Sequence, residues 1–157
     1  GLFFLALDIF LKKHDTPVSN WVAMMTDFLP EATSVGAVVL TNRSEAIFIT
    51  LLIAIQNIPE GFSSFKEMSK KSWKNRTIFS VFFASIVIGV VAAFIGSFYL
   101  RENPKILAGL MSFAGGGILY IVFEDVAPQI EMKRAYLPAL GTLIGFSVGI
   151  LGESLSL

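Results

Sequence analysis

Residues Ala46–Phe65 read AIFITLLIAIQNIPEGFSSF, an almost wholly apolar run until the phrase Gln56-Asn57-Ile58-Pro59-Glu60-Gly61. A transmembrane helix needs about 20 mostly apolar residues, and this run has that length. A charged side chain at the centre of a bilayer costs roughly 2.5–3.5 kcal/mol on insertion scales. The run therefore predicts a membrane helix with an expensive carboxylate, Glu60, at or past its middle.

A second phrase of the same kind, Asp27-Phe28-Leu29-Pro30-Glu31-Ala32, lies in the preceding apolar segment. Each phrase has a carboxylate directly after a proline and another oxygen-bearing side chain four residues earlier. Positions four apart lie on one face of a helix, so Asp27 pairs with Glu31. Gln56 pairs with Glu60 in the same way. A divalent cation between the two phrases is the simplest way to offset the cost of three acids.

The prolines add a second kind of ligand. Proline has no backbone N–H and clashes with the carbonyl four residues earlier. Pro30 therefore frees the carbonyl of Thr26, and Pro59 frees that of Ile55. Interrupted helices at mid-membrane are a common way for transporters to build ion sites. The alternative is that prolines only kink the helices and that isolated acids are protonated; two matching phrases on adjacent helices favour the ion site.

The composition excludes several classes of protein. The chain has 157 residues, 54% of them hydrophobic and 15 of them Phe, with a mean hydropathy of +0.71. Soluble domains are about 45–50% apolar. Zero net charge argues against a nucleic-acid binder. The absence of Cys and the single histidine, His14, exclude disulfides, zinc fingers and His-cluster proteases. No hydrolase motif is present, so we expect no enzyme.

The alternation of apolar and polar segments predicts an all-α fold, a polytopic transmembrane helical bundle forming one domain over residues 1–157. Short connections make neighbouring helices antiparallel. The chain opens inside an apolar run without a charged leader, so we expect a truncated beginning rather than a signal peptide. The prediction is five full spans plus a partial N-terminal helix: Val18–Leu40, Ala46–Phe65, Ile78–Leu100, Ile106–Gln129 and Tyr136–Leu155, with the partial helix at Gly1–Leu11.

The cations predict an orientation. Alternate loops carry nine on one side and three on the other, and the side richer in Lys and Arg is normally cytoplasmic. The C-terminus then lies outside. The nine are Lys12, Lys13, Lys66, Lys70, Lys71, Lys74, Arg76, Lys133 and Arg134, and the three are Arg43, Arg101 and Lys105.

Small residues recur at a spacing that predicts close helix packing. Gly141, Gly145 and Gly149 lie four apart on the last predicted span, as do Gly89 and Ala93 on the third. Small residues at this spacing let helices approach closely in lipid.

The motifs resemble those of the ZIP family, the zinc- and iron-regulated transporter-like proteins. The resemblance rests on Gln56–Gly61, on the basic loop that follows, and on the later phrase Leu119-Tyr120-Ile121-Val122-Phe123-Glu124-Asp125-Val126-Ala127-Pro128. The family has eight helices, with metal bound between the fourth and fifth. The resemblance implies that this chain is the C-terminal part of such a protein, its five spans matching helices four to eight.

Carried over residue by residue, the resemblance implies a main metal site and an exit near the cytoplasmic mouth. The residues are Asp27, Glu31, Gln56, Asn57 and Glu60 for the site, and Glu124 and Asp125 for the mouth. Phe28 and Gly89 stand where the family has ligands for a second metal. We therefore expect one metal, and an oxygen-only site that favours Mn²⁺ or Fe²⁺ alongside Zn²⁺.

The predicted function is movement of zinc, iron or manganese into the cytoplasm by an integral protein of the plasma (inner) membrane. The metal is cargo, and no other cofactor is expected. The expected partners are the metal ion and the lipid bilayer, without nucleic acid, and a homodimer is left open. Two alternatives are a degenerate or truncated membrane fragment without transport and a proton-coupled solute carrier. The absence of Lys or Arg inside the spans argues against anionic cargo.

Overall fold

The computed structural model describes residues 1–14, 18–123 and 136–156, and within these ranges it contains helices and no strand. The helices alternate with short connections, as the sequence predicts. Their bounds are α1 Leu2–His14, α2 Ser19–Val39, α3 Arg43–Lys70, α4 Asn75–Ile95, a π-helical segment Gly96–Leu100 that continues α4, α5 Pro104–Ile121 and α6 Tyr136–Ser156.

Helix α2 is the centre of the bundle. It packs against α1, α3, α4, the π-helical segment and α5, whereas α6 contacts only α3 among the described elements. Its buried positions include polar and small residues as well as Met24 and Met25. A helix enclosed by other helices has no need of an apolar face toward lipid, so α2 can hold acids and hydroxyls that an outer helix would expose.

Hydrogen bonds link the N-terminal end of α2 to α3 and α4. The backbone N–H of Asn20 donates to Glu67 Oε2 at 2.8 Å, and the Asn20 side-chain amide donates to Ser63 Oγ at 3.0 Å. Trp21 Nε1 donates to Ser85 Oγ on α4 at 2.9 Å. Glu67 places a carboxylate at the positive end of the α2 dipole, which stabilises that end.

The other end of α2 meets α4 by backbone contact. A Cβ atom added at Gly36 would overlap the carbonyl of Ala93, and one added at Gly96 would overlap the carbonyl of Thr33. The predicted close packing is thus confirmed at Ala93, whereas the close contact at Gly89 is with the side chain of Phe28. The same prediction for Gly141, Gly145 and Gly149 is wrong within the described residues, because no described atom lies within 4 Å of a Cβ built there.

The outward faces of the bundle are apolar and exposed. Large side chains such as Ile58, Phe62, Phe83 and Phe94 are more than half exposed. Water-soluble monomers rarely expose contiguous apolar patches of this extent. A lipid environment accounts for these faces, as expected for an integral membrane protein.

In the part of the chain that the structure describes, three helical segments are long and apolar enough to cross a membrane: Arg43–Lys70, Asn75–Leu100 and Tyr136–Leu155. The predicted count of five full spans is therefore not confirmed. The predicted first span corresponds to α2. Acids, Pro30 and hydroxyl groups on its enclosed faces lower the mean hydropathy of this helix. The predicted span Ile106–Gln129 continues beyond residue 123, outside the described ranges.

Both prolines lie inside continuous helices. Pro30 is within α2 and Pro59 is within α3, and neither helix ends there. The expected interruption of the helices is therefore absent, although the missing N–H of each proline still removes one helical hydrogen bond. Asn42 caps the start of α3 by accepting a hydrogen bond from the backbone of Glu45 at 3.1 Å, which fixes that end.

Candidate metal-binding site

Asp27 is the most deeply buried acid of the described residues. It lies halfway along α2 with 1% of its surface exposed. Neither of its carboxylate oxygens has a hydrogen-bond partner among the residues that the structure describes. Burying an ionised carboxylate without a partner is costly, so buried charges in proteins are normally paired or bind metals. Asp27 is thus a buried acceptor with no hydrogen-bond donor among the described residues.

Gln56 connects the acids of the two helices. Its side-chain amide lies close enough to the carboxylates of Glu31 on α2 and of Glu60 on α3 to hydrogen-bond with them. An amide carries two N–H donors and one carbonyl acceptor, so it can serve both acids and keep its oxygen for a third group. The structure therefore brings the two sequence phrases together at one place between α2 and α3.

The three acids form one region of negative potential. The charges of Asp27 and Glu60 act on Glu31, and the charge of Glu60 acts on Asp27. Within the described ranges, Glu31 Oε2 and Glu60 Oε2 are buried without hydrogen-bond partners, as both Asp27 oxygens are. Like charges this close repel one another in a medium of low dielectric constant. A cation among them would relieve the repulsion and supply the missing partners.

The acids are neighbours without yet enclosing a common centre. Within the described ranges, no group of three or more His, Cys, Asp or Glu side chains is placed to hold a metal ion. Binding through all three carboxylates therefore requires side-chain rotation or a small movement of α3 toward α2.

The remaining predicted site residues are placed differently. Asn57 Nδ2 donates to the carbonyl of Ile53 at 2.9 Å, so its amide nitrogen is bonded to its own helix. Thr26 likewise bonds back to the carbonyl of Val22 at 2.8 Å. Glu124 and Asp125 lie outside the described residues.

Two contacts lie beside the acids. One joins Phe28 and Gly89, which the sequence assigned to the position of a second metal, and the other involves Gly117, which the sequence analysis missed. A Cβ at Gly89 would meet the ring of Phe28, including Cε1 at 2.5 Å, so this ring fills the notch that the glycine leaves on α4. A Cβ at Gly117 on α5 would lie 2.5 Å from Asp27 Oδ1. The sequence signal for Gly117 is the run Gly115-Gly116-Gly117, which is unusual within an apolar helix.

Apolar helices long enough to cross a bilayer, surrounding buried acids without partners, define a polytopic integral membrane protein with an acidic intramembrane region. The model of the ZIP zinc transporter family matches residues 12–153, which is most of the chain. The chain belongs to that family. No curated protein and no solved structure gives a match to this chain. Membership implies divalent metal transport and a transporter rather than an enzyme.

Proposed function

We propose that this chain carries a divalent metal ion into the cytoplasm through a site formed by Asp27, Glu31, Gln56 and Glu60. The observation that carries the proposal is the position of the Gln56 amide, within hydrogen-bonding reach of acids on two packed helices. The unpartnered oxygens of the three acids supply the ligands. The family implies the class of cargo, and these residues supply a place for it inside the bundle.

The arrangement suggests how the ion is bound and released. A hydrated cation exchanges water for carboxylate oxygens as the acids rotate toward it, with Gln56 holding Glu31 and Glu60 in reach. Three carboxylates exceed the charge of one divalent ion, and a proton on one acid would balance the charge of the filled site. An inward-negative membrane potential favours inward release by about 2.3 kcal/mol per charge per 100 mV. The cation-rich loops support the inward direction.

The side of the site that faces α4 supports a single bound metal. Phe28 presents an aromatic ring where a second ion would need oxygen or nitrogen ligands, and Gly89 has no side chain to offer. Oxygen-only coordination suits hard and borderline cations. We therefore propose Mn²⁺ and Fe²⁺ as cargo alongside Zn²⁺.

The test is uptake of radioactive zinc or manganese by cells that express the Glu60→Gln variant. This change removes the charge and keeps the size of the side chain. Uptake should fall by about tenfold or more, since loss of even an outer-shell partner costs metal sites about 10–100-fold. The matched control is Glu102→Gln, at an exposed glutamate between the π-helical segment and α5, which should transport normally. Equal uptake by Glu60→Gln and the parent chain would refute the proposed site.

A binding measurement separates metal cargo from an organic solute. Purified protein should unfold at a higher temperature when Zn²⁺ or Mn²⁺ is added, because a ligand that binds only the folded state stabilises it. Glu60→Gln should lose most of this shift. A shift produced equally in both proteins would place the metal elsewhere.

A further inference from the structure

Helix α5 faces the site through one glycine. A Cβ at Gly117 would overlap the ring of Phe4 and lie 2.5 Å from Asp27 Oδ1. Gly117 is buried, and the carboxylate aimed at it is buried and unpartnered. The missing side chain of Gly117 is therefore part of the space that the Asp27 carboxylate occupies.

The ring of Phe4 cannot readily yield to a larger residue at position 117. Phe4 is 4% exposed. Its ring centroid lies 5.0 Å from that of Phe113 and 6.5 Å from that of Tyr120, both on α5, and 5.5 Å from that of Phe3. Packed aromatic clusters of this kind resist displacement. Extra volume at position 117 would therefore press on the Asp27 carboxylate.

The neighbouring glycines do not share this role. No described atom lies within 4 Å of a Cβ built at Gly115, and among the described atoms one at Gly116 would meet only the backbone nitrogen of Gly1 at 3.7 Å, an ordinary contact. Within the run of three glycines, the contact with the acid is thus confined to Gly117.

We propose that Gly117 is a positioning residue of the cation site: its bare backbone keeps open the space in which the Asp27 carboxylate turns toward the metal, and Phe4 closes that space on the side of α1. This inference rests on the proposed function. The space then also limits the size of the bound cation. A methyl group at position 117 hinders the carboxylate and excludes a larger ion before a smaller one.

The experiment compares Gly117→Ala with the matched control Gly115→Ala, which adds the same methyl group to open space on the same helix. Zinc uptake is measured over a range of zinc concentrations in cells, with surface protein quantified. Gly117→Ala should raise the half-saturating zinc concentration about tenfold, as expected for a residue that orients a metal ligand. Its manganese uptake should fall more than its zinc uptake, because Mn²⁺ is the larger ion. Gly115→Ala should match the parent chain.

A second pair of variants separates positioning of the acid from simple packing. Phe4→Leu removes the ring that a methyl group at position 117 would overlap, so Phe4→Leu/Gly117→Ala relieves the overlap that endangers folding. The double variant should keep a raised half-saturating concentration relative to Phe4→Leu alone. Full recovery of the parent behaviour, or an equal loss of zinc and manganese uptake, would overturn the inference.

These outcomes are distinct from failure of the proposed function. If Glu60→Gln abolishes uptake while Gly117→Ala has an unchanged half-saturating concentration, only the role of Gly117 is refuted. If Glu60→Gln transports normally, the carboxylate site itself is refuted.

Discussion

At the scale of single residues, Phe28 and Gly89 are complementary in shape. The ring on α2 fills the notch on α4, and a Cβ at the glycine would collide with it. The two residues come from distant parts of the chain, so their fit belongs to the fold and to neither residue alone.

This pair predicts the number of bound metals. Native mass spectrometry of the purified chain with Zn²⁺ should detect one ion per chain, because Phe28 offers no ligand. The double variant Phe28→Asn/Gly89→Glu replaces the ring and notch with two oxygen-bearing side chains, and it should bind a second ion. Phe28→Asn alone is the control, since it opens the space with only one new ligand. Two ions bound to the parent chain would contradict the prediction.

The site could be anticipated from sequence only in part. The four-residue spacing placed Asp27 with Glu31 and Gln56 with Glu60, and the structure brings both pairs to one region. The bridging position of Gln56 depends on side-chain rotamers and on how α2 and α3 pack, which one sequence does not specify. Gly117 was missed because glycine has no functional group, so nothing in the sequence indicates that another residue occupies the space beside it.

At the scale of elements, the crossing of α2 and α4 is the tightest contact described. Gly36 and Gly96 each face a carbonyl of the opposite helix, with no side chain between the backbones. Close approach of this kind increases van der Waals contact, a main source of helix association in lipid.

The crossing predicts a large effect for a small change. Gly36→Ala should destabilise the folded protein by about 1–3 kcal/mol, the usual cost of overpacking a filled core. The measurement is reversible unfolding in detergent. The control is Gly145→Ala on α6, where no described atom lies within 4 Å of the added Cβ. The control should be neutral or slightly stabilising, because Ala favours a helix over Gly by about 1 kcal/mol. Equal effects of the two changes would refute the assigned crossing.

Helix positions were largely predictable, and their ends less so. The predicted span Val18–Leu40 corresponds to α2, Ser19–Val39, and Tyr136–Leu155 to α6, Tyr136–Ser156. Helix α3, Arg43–Lys70, is longer than the predicted Ala46–Phe65 because hydropathy detects the part that lies in lipid. Its outer turns are polar and are stabilised by the Asn42 cap. The π-helical end of α4 has no counterpart in the pattern of apolar residues.

At the scale of the whole molecule, the charges in the loops predict how the chain is oriented across the membrane. The end of α3, the connection after it and the first turn of α4 carry Lys70, Lys71, Lys74 and Arg76, whereas the connection after the π-helical segment and the first turn of α5 carry Arg101, Glu102 and Lys105. Orientation follows the excess of Lys and Arg in short loops. The lysine-rich connection should therefore be cytoplasmic.

Cysteine labelling tests this orientation directly, since the chain has no cysteine of its own. Glu102→Cys should react with a membrane-impermeant maleimide added to intact cells. Ser72→Cys, in the connection after α3, should react only after the cells are permeabilised. The two variants are controls for each other. The opposite pattern of labelling would reverse the orientation and, with it, the proposed direction of transport.

The two ends of α2 differ in what joins them to their neighbours. One end meets α4 backbone against backbone at Gly36 and Gly96, while the other is joined by hydrogen bonds of Asn20 and Trp21. The glycine crossing is the more rigid of the two ends, because no side chain that could change rotamer lies between the backbones. The end joined by hydrogen bonds opens more easily, because water can replace those bonds. We therefore expect the hydrogen-bonded end of α2 to separate from its neighbours more readily than the glycine crossing.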